Sequence, residues 1–154
     1  MTDSEIAKVT DRMRRLCSRR EYCSHDILKK VSDALDGDRD TAAQVLQTLV
    51  SERYVDDLRY ATAYARDKSM ISGWGETKIR YMLSAKRISK DVISMAMEEI
   101  DEKKAETRLQ KLLENKSRAL KDDPQIRLKL LRFALGRGYQ YDEVVPVVES
   151  LLKR

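Results

Sequence analysis

The chain has 154 residues, 42% hydrophobic and 37% charged, with 31 basic against 26 acidic side chains for a net charge of +5. That length suits one ordinary domain or a few small units sharing their cores, and the clear periodicity of the apolar residues excludes a disordered chain. Five glycines and two prolines among abundant Leu, Ala, Lys, Arg and Glu point to helices joined by short turns.

The first predicted helix lies near 4–20. It begins acidic, in "MTDSEIAKVTDRMRRL", and has no apolar signal core. No apolar run approaches the ~18 residues that span a bilayer, so a cytoplasmic protein without membrane contact is expected. Cys17 and Cys23 stand six apart with no second pair, which is neither a zinc pattern nor a CxxC redox motif. They are expected to be reduced structural thiols, with no metal or cofactor. Ser24 is the expected N-cap of a helix near 24–35, and the acidic turn "LDGDRD" leads to a helix near 39–52.

"RYVDDLRYATAY" follows, and its two aspartates pose a question about chemistry. Asp56 stands where the next helix, near 57–71, must begin, and its carboxylate can accept from the N–H of Leu58 or Arg59. Asp57 then favours the helix dipole from the first turn. Val55 and Tyr60 stand where a hydrophobic staple would, and Arg59 is within reach of Asp56. Tyr60, Ala61, Tyr64 and Ala65 define one packed face. A catalytic carboxylate pair would need a positioned base or metal ligands, and the single histidine, His25, sits beside a helix cap. The chain is expected not to be an enzyme.

Helices near 75–86 and 89–100 come next, the latter capped by Ser89. "GWGETKIRYMLSAKRIS" at 73–89 lacks the glycines and the Lys-Ser/Thr pair of a phosphate loop. Trp74 reads either as a hydrophobic plug between units or as a contact residue on a concave face. With Ile79, Met82 and Leu83 facing the core, Arg80 and Arg87 fall on one shoulder of the helix and Lys78 on the other, with Lys90 just after the turn. Helices near 101–120, 124–136 and 140–153 complete the chain, with Pro124 in a first turn and "GRG" at 136–138 turning between the last two. Arg127, Lys129, Arg132 and Arg137 occupy the helix equivalent to 75–86. These cations could line a groove that follows a phosphate backbone, although an ordinary solvated face has the same look.

The elements repeat. Leu28, Ile79 and Leu130 are spaced by 51 residues, as are Val31, Met82 and Phe133, and Ala42, Ile93 and Val144. Three units follow, at 1–56, 57–100 and 101–154. Each is a three-helix, helix-turn-helix-like repeat, and together they form an all-α, elongated, curved body. Charge is polarised along it. Residues 1–57 carry 10 basic and 12 acidic side chains, 58–100 carry 8 and 5, and 101–154 carry 13 and 9. A polyanion or an acidic protein surface suits such a basic C-terminal part.

Tyr54-Val55-Asp56-Asp57, then Arg59-Tyr60-Ala61 and Tyr64, then Gly73-x-Gly75, Ile79, Leu83, Lys86 and Ile88, resemble the RecX family of bacterial recombinase regulators. The resemblance covers 16–100, and 101–154 agree in helical repetition. Arg87 stands where the family usually has glycine, and Ser51-Glu52-Arg53 lacks the family's glycine before the aromatic. The resemblance implies three tandem three-helix repeats. It also implies a protein that binds the RecA–DNA filament, with single-stranded DNA met directly or through the filament, and that inhibits strand exchange and ATP hydrolysis. Lys78, Arg80, Arg87, Lys90, Arg127, Lys129 and Arg132 are then the expected contacts with RecA or DNA. Tyr54, Asp56, Asp57, Arg59, Tyr60, Ala61, Gly73, Gly75, Ile79 and Leu83 are mainly structural. A monomer is expected. The alternative is a helix-turn-helix DNA-binding protein without a RecA-specific role. The second unit's third helix, "SKDVISMAMEEI", lacks the Asn, Gln or Arg face that reads bases.

Overall fold

The computed structural model describes residues 2–153. The outermost positions of the two end units, 1 and 154, lie outside the described residues. Nine helices and no strand occur among the described residues: α1 Asp3–Arg19, α2 Ser24–Ala34, α3 Arg39–Ser51, α4 Asp57–Met70, α5 Glu76–Ala85, α6 Lys90–Met97, α7 Glu102–Ala119, α8 Ile126–Gly136 and α9 Tyr141–Leu152. Consecutive threes form bundles, each with its own core. Met13, Ile27, Val31 and Leu49 lie at the centre of the first. Ala61, Ala65, Ile79, Leu83 and Ile93 fill the second, and Leu113, Leu130, Val144 and Val148 the third. Each fully buried Leu, Ile or Val contributes about 1.5–3 kcal/mol relative to exposure.

The accessible surface is 10044 Å², well above the roughly 8,000 Å² typical of a compact monomer of this mass. The excess area belongs to an elongated body of three small bundles. The repeat seen in the sequence places Ala42, Ile93 and Val144 at equivalent fully or nearly buried sites. Met82 departs from the expected pattern. It is exposed, because Ile79 and Leu83, one turn apart, already supply α5's core contacts.

Local chemistry sets the helix starts. Asp38, Asp56, Ser89 and Asp101 each accept a backbone N–H two or three residues on, capping α3, α4, α6 and α7. The second helix of each bundle, α2, α5 and α8, begins without a side-chain cap. Ser24 is therefore not the cap expected of it. It is the first helical residue of α2, and Cys23 precedes it. Pro124 also lies outside its expected helix, in a turn before α8. There the Asp123 carboxylate accepts the Gln125 N–H at 2.8 Å, and the Asp123 carbonyl accepts that of Ile126 at 3.1 Å. The starts of α2 and α5 are completed from the following bundle.

Candidate functional site

The Asp56 carboxylate accepts the Arg59 N–H at 3.0 Å and caps α4. Asp57 reaches back across the sequence, and its Oδ1 accepts the Ser24 N–H at 2.7 Å. One aspartate therefore starts its own helix, while the other starts α2 of the preceding bundle. The Arg59 side chain does not turn to Asp56. It pairs with Glu21 and donates to the carbonyls of Arg53 and Tyr54. Val55 lies in the first core and Tyr60 packs on the second, so the pair bridges two cores instead of stapling one helix end. Lys86, at the C-cap of α5, completes the joint by donating to Asp26 in the first turn of α2 at 2.8 Å. Burial alone would raise the Asp26 carboxyl, but the Lys86 ammonium outweighs it and holds the carboxyl below its ordinary range. The hydrogen bond to Asp26 holds the Lys86 ammonium above its own. Cys17 and Cys23 are free and buried, one in the first core and one in the second, and burial pushes both thiols up.

The joint between the second and third bundles repeats this arrangement. A shift of 51 residues maps Asp26 on Thr77, Lys86 on Arg137, and Arg87 on Gly138. At the start of α5 the Gly75 N–H donates to the Arg137 carbonyl at 2.7 Å and the Thr77 N–H to the Gly138 carbonyl at 3.0 Å. Arg137 donates in turn to the Ser72 carbonyl at 3.0 Å. The approach is so close that only glycine fits. A Cβ at Gly138, whose φ is +96°, would stand 2.3 Å from the Cβ of Lys78. The "GWG" stretch is thus a docking element for the third bundle. Trp74 is half-buried and packs on the second core, with Tyr64 edge-on at 6.3 Å. Lys68 and Lys78 hold their ammonium groups 4.7 and 4.5 Å from the Trp74 ring, a cation–π arrangement.

Three of the seven cations expected to contact DNA or RecA are paired with acids of this chain. Arg80 pairs with Glu76 at 2.7 Å, Arg127 with Glu149 at 2.7 Å and Lys129 with Asp123 at 2.5 Å. Arg87 does not share a helix shoulder with Arg80. Helix α5 ends at Ala85, and Arg87 sits beyond it at φ +63°, with the Ile88 N–H returning to the Leu83 carbonyl. This is the left-handed residue that closes a helix, which glycine usually fills. Arg137 is the C-cap of α8 at φ −84°, and the left-handed residue that follows it is Gly138. Arg87, Lys90 and Arg132 are exposed and form no ion pair among the described residues.

Between the second and third bundles opens a cleft of about 730 Å³, lined by Glu76, Glu98, Glu102, Glu106 and Glu143 and by Arg80, which is paired with Glu76, with Trp74 in its wall. Nothing in the sequence pattern singled out these carboxylates, because they come from four helices. No cluster of three or more His, Cys, Asp or Glu among the described residues is arranged to hold a metal ion. The cleft repels a phosphate backbone, so the sign of charge separates this face from the basic ones.

Comparison with known proteins fits the three-helix bundles. A family model described as the second three-helix domain of RecX matches residues 56–97. The regulatory protein RecX of Vibrio campbellii is 31% identical over 131 residues, covering 84% of this chain and 82% of the relative. That of Clostridium botulinum is 35% identical over 131 residues, covering 80% of this chain and 61% of the relative. The chain thus spans about three fifths of the length of the Clostridium botulinum relatives. The crystal structure of RecX from Lactobacillus salivarius matches with a TM-score of 0.85 over 99% of this chain and 100% of that one. At 19% identity, this is a likeness of fold.

Proposed function

The chain belongs to the RecX family, and from that membership we propose that it binds the RecA–DNA filament and restrains its recombinase and ATPase activity. The single observation that carries this reading is the kinship to regulatory protein RecX over more than four fifths of both chains. The elongated three-bundle body supports it physically. A body of this shape can lie along a helical filament and make contacts with several protomers, and weak contacts on one rigid frame add. Basic and acidic faces on the same body suit an assembly that presents both nucleic acid and protein. Arg87, Lys90 and Arg132 are the sequence-derived contacts whose charges remain available, while Lys78 lies against the Trp74 ring. Arg80, Arg127 and Lys129 are neutralised by acids of this chain and contribute less. The role is regulatory and non-enzymatic, and the site of action is the cytoplasm, where the filament forms.

The test is RecA-dependent ATP hydrolysis on single-stranded DNA. Hydrolysis should fall progressively as this protein is added, and an unchanged rate at a large excess would sink the reading. Plain helix-turn-helix readout of duplex DNA is disfavoured by α6, which would be the reading helix. Its neighbourhood exposes Asp91, Met95, Glu98 and Glu99, which offer acid and thioether to a phosphate-rich groove.

A further inference from the structure

The cleft between the second and third bundles has two walls of like charge. Glu76 and Glu98 belong to the second bundle, and Glu102, Glu106 and Glu143 to the third. Folding accounts for part of this. Glu76, Glu102 and Glu143 stand in the first turns of α5, α7 and α9, where a carboxylate favours the helix dipole. Glu76 also pairs with Arg80, and Glu143 accepts the Gln140 N–H at 2.8 Å. Glu98 and Glu106 serve no such purpose. Glu98 is the C-cap of α6, the helix end at which negative charge is unfavourable, and Glu106 lies in the second turn of α7. Both are exposed, and neither forms an ion pair among the described residues.

The floor carries a second, independent sign. Ser69 is 4% exposed and Tyr139 5%, and both line the cleft. Neither hydroxyl makes a hydrogen bond among the described residues. Nor is any side-chain oxygen among them both sealed from solvent and unbonded. The two hydroxyls therefore open on the space their residues line, which is the cleft. A hydroxyl set so deep without a partner in the fold is an exception among buried polar groups, and its partner comes from outside. Ser69 belongs to the second bundle and Tyr139 to the third, so these acceptors too stand on both sides of the joint. Between them and the acids the lining is apolar, with Trp74, Ile79, Met97 and Ile100. Lys68 and Lys78 lie against the Trp74 ring but do not line the cleft.

Excess carboxylate selects a cation. A metal ion needs oxygens converging on one point, and no such cluster occurs among the described residues. These acids are instead spread over both walls with apolar side chains between them. The matching ligand has several ammonium groups joined by methylene runs. Each charge then meets a carboxylate or a hydroxyl oxygen, and each run lies on apolar surface, as the stem of a lysine does. Glu102 and Glu106, one turn apart on α7, set charges roughly 6 Å apart, the reach of a short alkyl spacer. We propose that the cleft binds an aliphatic polyamine across the joint. Glu98 and Glu106 take its ammonium groups, Ser69 and Tyr139 accept from its N–H groups at the floor, and Trp74 and Ile79 lie against its methylenes. The site is independent of the filament reading, since it involves neither DNA nor RecA.

Trp74 is the single tryptophan of the chain and stands in the cleft wall, so its fluorescence reads the site directly. Spermidine is titrated into the full chain at low salt, and emission should change saturably. Magnesium chloride at equal ionic strength should not reproduce the change; an identical response is screening alone and overturns the site. Glu98→Gln/Glu106→Gln should weaken spermidine binding about tenfold, a few-fold for each exposed pair lost. Asp33→Asn/Asp40→Asn makes the same change of net charge on the first bundle and should leave binding within about twofold. Ser69→Ala should weaken binding about fivefold while the melting temperature of the free protein stays unchanged, because the hydroxyl has no partner in the fold. Circular dichroism confirms that each variant is folded. Wild-type affinity in the Glu98/Glu106 double variant overturns the site, as does equal loss in the control. N-acetyl-trilysine amide carries the same number of ammonium groups as spermidine. It should bind at least about fivefold more weakly, because its amides must be desolvated over an apolar floor. Equal or tighter binding of that peptide assigns the cleft to a basic protein segment and overturns the proposal.

Discussion

Gly75 and Gly138 meet backbone to backbone at the joint between the second and third bundles. A Cβ at Gly75 would lie 2.5 Å from the carbonyl carbon and oxygen of Gly138. No side chain can yield there, because the obstructing atoms are main chain. Gly75→Ala should therefore cost about 1–3 kcal/mol through overpacking. Gly138→Ala should cost somewhat more, since holding a side-chain-bearing residue at positive φ adds about 1–2 kcal/mol. Gly37→Ala is the reference: φ is +84° but nothing lies within 4 Å, so only the conformational cost applies. Urea denaturation of the three variants measures the difference.

The left-handed position after α5 holds Arg87, where its counterpart one repeat later is Gly138. Arg87→Gly should stabilise the fold by about 0.5–1 kcal/mol in thermal or urea melts, because relief of the left-handed φ, about 1–2 kcal/mol, exceeds the added unfolded-state entropy of glycine. The same substitution should weaken filament binding if the guanidinium is a contact. Opposite signs in the two measurements would separate its backbone role from its charge.

The two aspartates make distinct predictions. Asp56→Ala should cost about 1 kcal/mol and Asp56→Asn much less, because an amide oxygen still caps α4. Asp57→Ala leaves the part-buried Ser24 N–H without its acceptor and should cost about 1–3 kcal/mol. Its effect should appear as faster hydrogen exchange at the start of α2, which a defect confined to α4 would not produce.

The Asp26–Lys86 bridge gives a pH window. Asp26 is depressed in the folded state, so its contribution is present above the unfolded carboxyl value of ~3.9 and lost as pH falls through the folded value. Lys86 is raised, so its contribution is present below the unfolded value of ~10.4 and lost as pH rises through the folded one. Both side chains are about a third or more exposed, at 30% and 41%, so the bridge contributes modestly. The stability gap between wild type and Asp26→Asn should be largest near neutral pH and close toward both extremes. A gap that stays constant from acid to alkali would show that the bridge has no electrostatic part in the joint.

The helices and their threefold repetition were legible because their causes are local. Caps such as Asp56 and Ser89 act over three residues, and the apolar period of each helix is written in its own segment. The joints were not legible for the converse reason. Asp57 and Ser24 are 33 residues apart, and Arg137 and Ser72 are 65 apart, and a polar contact at such range leaves no periodic trace. The shared shoulder expected of Arg80 and Arg87 was wrong because the helical register was carried past the end of α5 to Arg87. The glycine preference of related sequences at that position was the available sign that the helix had stopped. Net charge by segment could not reveal that Arg127 is neutralised by Glu149, 22 residues on.

The joints also set an order of events during synthesis. Helix α2 emerges from the ribosome with its Ser24 N–H and its Asp26 carboxylate unpartnered, and the residues that meet them come later. Asp57 follows Ser24 by 33 residues and Lys86 follows Asp26 by 60. At ~5–20 residues per second, the second wait is about 3–12 s. The second bundle then waits in turn for Arg137 and Gly138. Each nascent bundle is held incomplete at one helix end until its successor arrives, so the protein matures from its N-terminus one clasp at a time.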